Sequence, residues 1–224
     1  TMGYPKLLSE SLSYLLEIGT IKKNSEHKWL IEPNYANIAL HKKLSKFVKM
    51  PQNNLPSFLT EFIGRETEIS QISSLLDKSR LVTLVGPGGI GKTRLALQVA
   101  SMRLNDFEDG VFFVSLASVT KPDLVVSSIA KAMDIVETAG QSILEAIKSA
   151  LKDKHRLIII DNFEQVIAAA PMIAELLAYA RLVTVMVTSR EALHISGEHV
   201  FNVPPLAIPE LEQRNCLERM MQQA

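Results

Sequence analysis

Residues 81–93 read LVTLVGPGGIGKT, an apolar run that breaks into Gly86-Pro87-Gly88-Gly89-Ile90-Gly91-Lys92-Thr93. The G-x-x-x-x-G-K-[ST] spacing, with a strand pattern before it and an amphipathic helix pattern after it, is compatible with few folds. Its glycines allow left-handed backbone angles, so successive N–H groups can turn inward around an anion. A helix starting near Gly91 adds its positive dipole end at the same point. The anion such a loop fits is a phosphate. Lys92 would reach the β- and γ-phosphates of a bound nucleotide, and Thr93 would offer its hydroxyl to Mg²⁺.

The pattern around the loop alternates strand and helix. Strands are expected at 81–86, 110–117, 155–162, 182–189 and 199–203, with helices at 91–104, 122–135, 140–152 and 163–180. Near-continuous Val/Ile/Leu strands between helices imply a mainly parallel sheet covered on both faces, an α/β three-layer fold. Ahead of it, a helix starts near Glu66 with Ile69, Ile72, Leu75 and Leu76 as its apolar stripe.

Two strand ends deliver charge. Leu157-Ile158-Ile159-Ile160-Asp161 is an apolar strand ending in a carboxylate, at the sheet edge where α/β folds place ligands. Asp161 would share Mg²⁺ with Thr93, usually through water; capping the next helix is the alternative. Its neighbour is Asn162, not an acid. An amide orients water but accepts its proton poorly, so turnover should be slow. Glu164 could handle that water instead, and spacing alone does not choose between the two. Arg190 follows LVTVMVTS and stands past another strand end, where a cation can sense or neutralise the γ-phosphate. His194 and His199 have no metal-ligand companions, and Ser189 has no base partner by sequence.

The first fifty residues differ in character. They hold eight lysines against four glutamates, a net charge of +4 in a chain whose formal charge is zero. Residues 7–18 form a helical stripe, 19–32 two short strands about Asn24-Ser25, and 35–48 a second helix pattern. Helix and hairpin resemble half of a winged helix, which would contact DNA or simply pack as a small subdomain. Residues 51–60, with two prolines and two asparagines, read as a linker. The domain expectation is therefore a basic unit at 1–50, a linker at 51–60, the nucleotide-binding domain at 61–209 and the start of a helical subdomain at 210–224. No run reaches the ~18 apolar residues that span a bilayer, and the single cysteine, Cys216, fits a reducing compartment. A cytoplasmic protein is the expectation.

Four ordered segments together resemble the STAND class of P-loop ATPases, the AP-ATPase or NB-ARC-like modules of bacterial multidomain regulators. Phe62-Ile63-Gly64-Arg65-Glu66 is similar to that family's hydrophobic-GRE motif, GPGGIGKTRLA to its phosphate loop, LIIIDNFEQV to its Mg²⁺ strand, and VTSREAL with GEHVFNVPPL to its sensor segment and the strand beyond. The resemblance implies that ATP or ADP is bound by Gly64, Arg65, Glu66, the loop residues 86–93 and Arg94. Lys92, Asp161, Glu164 and Arg190 would carry slow hydrolysis. It also implies a nucleotide-driven change that recruits protein partners or further copies of the chain. A helical subdomain, a GxP-type motif and a winged-helix domain usually follow in that family, whereas this chain stops at Ala224. A piece of a longer protein and a reduced protein are both compatible with that. A nucleotide-held scaffold and a DNA-binding regulator acting through the lysine-rich unit are the alternative functions.

Overall fold

A computed structural model of the chain describes residues 21–23, 29–31, 51–57, 59–137 and 140–206. The chain divides into two compact units, Thr1–Met50 and Pro51–Ala224. In the first, β1 (Ile21–Lys23) pairs antiparallel with β2 (Trp29–Ile31), with Ile21 opposite Ile31. The helices expected at 7–18 and 35–48, and the one expected after residue 209, lie outside the described residues.

The second unit runs α1 (Glu66–Leu76), β3 (Leu81–Val85), α2 (Lys92–Met102), β4 (Val111–Ser115), α3 (Leu124–Ala132) and α4 (Ile143–Leu151). It continues with β5 (Leu157–Asp161), α5 (Ala170–Tyr179), β6 (Thr184–Ser189) and β7 (Glu198–Asn202). The five strands form one parallel sheet in the order β4-β5-β6-β3-β7.

Side chains alternate across this sheet because successive strand residues point to opposite faces. Val82, Leu84, Leu157, Ile159 and Met186 pack with Ile72 of α1 and Leu95 and Val99 of α2. Phe112, Val114, Ile158, Ile160, Val185 and Val187 pack with Ile129 of α3, Ile147 of α4 and Ile173 of α5. Both faces are thus covered, which is why β5 and β6 read as unbroken apolar runs and every residue in them is buried.

Two local departures from the sequence expectation have physical causes. Residues 163–180 are not one helix: Phe163–Ala169 form a 3-10 stretch with non-helical Val166, and the α-helix starts at Ala170. Pro171 sits in the first turn of that helix, where its missing N–H has no intrahelical partner to lose. Residues 51–57, read as linker, run beside the β4 edge. Asn53 bridges Val111 in parallel, and Val111 donates its N–H to the Gln52 carbonyl at 2.8 Å. The Asn54 amide takes the place of the next strand residue, accepting from Phe113 N at 2.6 Å and donating to Phe113 O at 3.0 Å. An edge of unpaired backbone groups is thereby closed.

Candidate functional site

The sheet order decides which loops meet. Because β6 lies between β3 and β5, the segment leaving β6 emerges between the glycine loop that follows β3 and the turn that follows β5. All three are C-terminal strand ends, the rim where parallel α/β sheets gather ligands.

The loop after β3 has the conformation its glycines permit. Gly89 and Gly91 have φ of 79° and 93°, and a side chain at either would be strained. Gly91 is the N-cap of α2, and its carbonyl accepts the Leu95 N–H at 2.9 Å. Pro87, Gly88 and Gly89 are exposed at the rim. Gly86 is closely packed: a Cβ there would lie 3.3 Å from Ile90 Cγ2 and 3.4 Å from the Val203 carbonyl. Lys92 is buried and folds back on the loop, its Nζ donating to the carbonyls of Gly86 at 2.8 Å and Pro87 at 3.0 Å. An ammonium so held lies within the cradle that a phosphate would fill.

Asp161 ends β5 and is buried. Its Oδ1 accepts the Thr93 hydroxyl at 2.6 Å and also the Thr188 hydroxyl from β6. Thr188 Oγ1 in turn accepts the Asn162 N–H at 3.1 Å. Thr188 is a site residue that the sequence reading missed. Its signal was available, a hydroxyl two residues before Arg190 at a strand end, but only the sheet order tells which carboxylate it faces.

Asn162 has φ 63° and ψ 43°, a left-handed turn that Asn tolerates better than most residues. That turn sends the chain into the 3-10 stretch and carries Glu164 toward the strand ends. Glu164 Oε1 lies 3.2 Å from Arg190 Nε, and Glu164 Oε2 is buried with no hydrogen-bond partner among the described residues. Arg190 is two-thirds exposed, and its Nη2 lies 3.6 Å from where a Cβ on Gly88 would stand. Lys92, Thr93, Asp161, Glu164 and Arg190 therefore converge on one rim.

The Gly64–Glu66 segment meets the loop through Arg65. Gly64 and Arg65 are both left-handed, with φ 74° and 66°. For a non-glycine residue this costs on the order of 1 kcal/mol, so something must hold it. Arg65 is buried, donates from Nη2 to the Ile90 carbonyl at 2.7 Å, and leaves Nη1 buried without a hydrogen-bond partner among the described residues. Glu66 is exposed at the first position of α1. Arg94 turns away from the loop, donating to the carbonyls of Thr60 at 2.7 Å and Glu61 at 2.5 Å and lying 5.9 Å over the Phe62 ring.

The residues present fit a nucleotide with a divalent cation. Thr93 and Asp161 offer a hydroxyl and a carboxylate, hard oxygens suited to Mg²⁺. Among the described residues no group of three or more His, Cys, Asp or Glu gathers around one point. The cation would therefore complete its shell with phosphate and water oxygens, as Mg²⁺ commonly does. Arg65 Nη1, a buried donor without a partner among the described residues on a side chain that touches the loop at Ile90, is a further polar group available there.

A parallel sheet with a glycine loop after β3 and a buried carboxylate at the end of β5, two strands away, defines a P-loop NTPase. The family model described as AAA domain matches residues 76–196, more than half of the chain, and the chain belongs to that family. An uncharacterized protein of Mycobacterium tuberculosis, Rv0894, is 35% identical over 158 residues, 70% of this chain and 40% of the relative. The regulatory protein AfsR of Streptomyces coelicolor is 26% identical over 174 residues, covering 70% of this chain and 17% of AfsR. The chain thus spans well under half the length of these relatives. Among solved structures, the Aeropyrum pernix ORC2 protein, described in ADPNP–ADP complexes, aligns with TM-score 0.51 at 16% identity, covering 75% of this chain and 54% of that one. That likeness concerns the fold. Among the described residues no helix is long and apolar enough to cross a membrane.

Proposed function

We propose that the second unit is an ATP/ADP-binding switch module of the STAND, NB-ARC-like kind, with slow Mg²⁺-dependent hydrolysis and a role in signalling or transcription control. The observation that carries it is the rim itself: Lys92 on the loop carbonyls, Thr93 2.6 Å from Asp161, and Arg190 beside Gly88. The AAA family match ends at residue 196 and begins at 76. The STAND assignment therefore draws on the segments outside it, Phe62–Glu66 and β7, as well as on the relatives. AfsR is named a regulatory protein. A further M. tuberculosis relative, 36% identical over 138 residues that make up 15% of its length, is named provisionally as an HTH-type transcriptional regulator.

In hydrolysis, water adds to the γ-phosphorus, the bond from that phosphorus to the β–γ bridging oxygen breaks, and ADP leaves. Lys92 and Arg190 offset the charge that accumulates on the phosphoryl oxygens. A bound Mg²⁺ would supply further positive charge against the phosphate oxygens. Thr93 and Asp161 would hold it, with Thr188 orienting the carboxylate. Two features support slow turnover. Asn162, beside Asp161, is a turn residue with an amide that accepts protons poorly. Glu164, the other candidate for the water, has one oxygen tied to Arg190.

Switching requires that ATP and ADP favour different states. Arg190, exposed and next to the loop, is the residue best placed to read the third phosphate. Arg190→Ala should weaken a β,γ-imido ATP analogue several-fold more than ADP, measured by titration calorimetry. Equal weakening of both would remove Arg190 as the sensor and the switch reading with it. The lysine-rich unit as a DNA contact, and protein or self-association as output, belong to this proposal as partners to be tested.

A further inference from the structure

Glu164 is the group on this rim whose surroundings fit its expected role least well. A carboxylate that removes a proton from water needs an oxygen that the water can reach. Here Oε1 is paired with the Arg190 guanidinium at 3.2 Å, and Oε2, without a hydrogen-bond partner among the described residues, is buried out of reach of solvent.

The same contact looks purposeful from the side of Arg190. The guanidinium nitrogen that lies against Glu164 is Nε, the one nearest the chain, in an ion pair at 3.2 Å. Its two Nη groups donate to no protein acceptor among the described residues. Nη2 is the atom nearest the position of a Cβ on Gly88. A carboxylate paired with Nε restrains the guanidinium electrostatically and leaves the outer fork to meet a second anion. Arg190 is otherwise two-thirds exposed, so without that anchor its long side chain would sample many rotamers.

We infer that Glu164 is a positioning residue: it holds Arg190 by Nε so that the Nη fork faces the third phosphate, and it does not activate the water. This rests on the reading of Arg190 as the sensor given above. The arrangement requires that β6 lie between β3 and β5, because only then does a residue leaving β6 stand between the glycine loop and the turn bearing Glu164. Asn162 is part of the device, since its left-handed turn is what brings Glu164 back to the rim.

A double-mutant cycle on affinity tests this without relying on turnover. The full chain, Glu164→Gln, Arg190→Ala and the double variant are each titrated with the imido analogue and with ADP, both with Mg²⁺. Glu164→Gln keeps the shape of the side chain but loses the charge. It should lower the ratio of analogue to ADP affinity roughly two- to fivefold, the range a partly exposed ion pair supports. In the Arg190→Ala background the same change should leave the ratio where it is. An unchanged or raised ratio on Glu164→Gln would overturn the inference, as would an equal drop in both backgrounds, which would mean a direct effect of Glu164. Phosphate release adds an independent criterion. Loss of turnover by about 100-fold or more with an unchanged ratio would assign Glu164 to the water instead. If Arg190→Ala alone fails to alter the ratio, the sensor reading falls first. If it does alter the ratio and Glu164→Gln does not, only the positioning role falls.

Discussion

Thr188→Val tests the physical account of the rim most simply, because the substitution keeps shape and removes one hydroxyl. Thr188 is 1% exposed, so water cannot replace what is lost. The hydroxyl donates to the Asp161 carboxylate and accepts the Asn162 N–H. A hydrogen bond to a charged group contributes about 1.5–3 kcal/mol, and a backbone N–H left without a partner adds on the order of 1 kcal/mol. The extra methyl of valine recovers about 1 kcal/mol by burial. The net loss expected is about 2 kcal/mol. With an m-value near 2 kcal/mol/M in urea, the unfolding midpoint should fall by roughly 1 M. Thr188→Ser keeps the hydroxyl and should recover most of that loss. A shift under about 0.25 M for Thr188→Val would refute the argument that this hydroxyl is what satisfies Asp161 and the Asn162 turn.

The opposite end of the sheet has its own charge cluster, and it gives a pH prediction. Burial opposes ionisation of Asp109, but the His155 N–H, the Lys154 ammonium and the Arg156 guanidinium together hold its carboxyl below the ordinary value of 3.8. A carboxyl depressed on folding stabilises above its unfolded pKa and loses that contribution as pH falls through the folded one. Asp109→Asn should therefore lower Tm at neutral pH, and the gap to wild type should close below about pH 4; a gap constant with pH would contradict the assignment. Gly110→Ala should be severe, since its Cβ would stand 2.5 Å from the Gln52 carbonyl and 2.8 Å from Phe112 Cε2 at a φ of 117°. A loss of at least ~2 kcal/mol in thermal unfolding is expected, and a near-neutral result would mean that residues 51–57 do not pack on the β4 edge.

Some of this was legible in the chain and some was not, for reasons that differ by residue. LVTLVG followed by GKT reads as strand, loop and helix because each part carries its own local signal, apolar run, glycine freedom and amphipathic period. LIIID is legible for the same reason, and the structure places both strands near the residues expected. Sheet order is a different matter. Periodicity states which residues are buried but not which strand lies next to which, so the insertion of β6 between β3 and β5 could not be read. Thr188 as the partner of Asp161, and the pairing of Glu164 with Arg190, both depend on that order. The 3-10 stretch at Phe163–Ala169 was hidden because its apolar residues keep a spacing that a helix would also show. Asn54 was hidden because it substitutes for a backbone group, and a polar residue between prolines reads as linker wherever it is.

The most direct test of the central claim is calorimetric titration of the full chain and of Lys92→Ala with MgADP and with the Mg²⁺ imido-ATP analogue. Among the described residues Lys92 donates only to loop carbonyls, so its loss should spare the fold while removing the charge that a phosphate requires. Saturable binding of both nucleotides by wild type, lost or weakened at least about 100-fold in a folded Lys92→Ala variant, is the predicted result. Binding of equal strength in the variant, or none in wild type, would contradict the assignment of this loop as the nucleotide site.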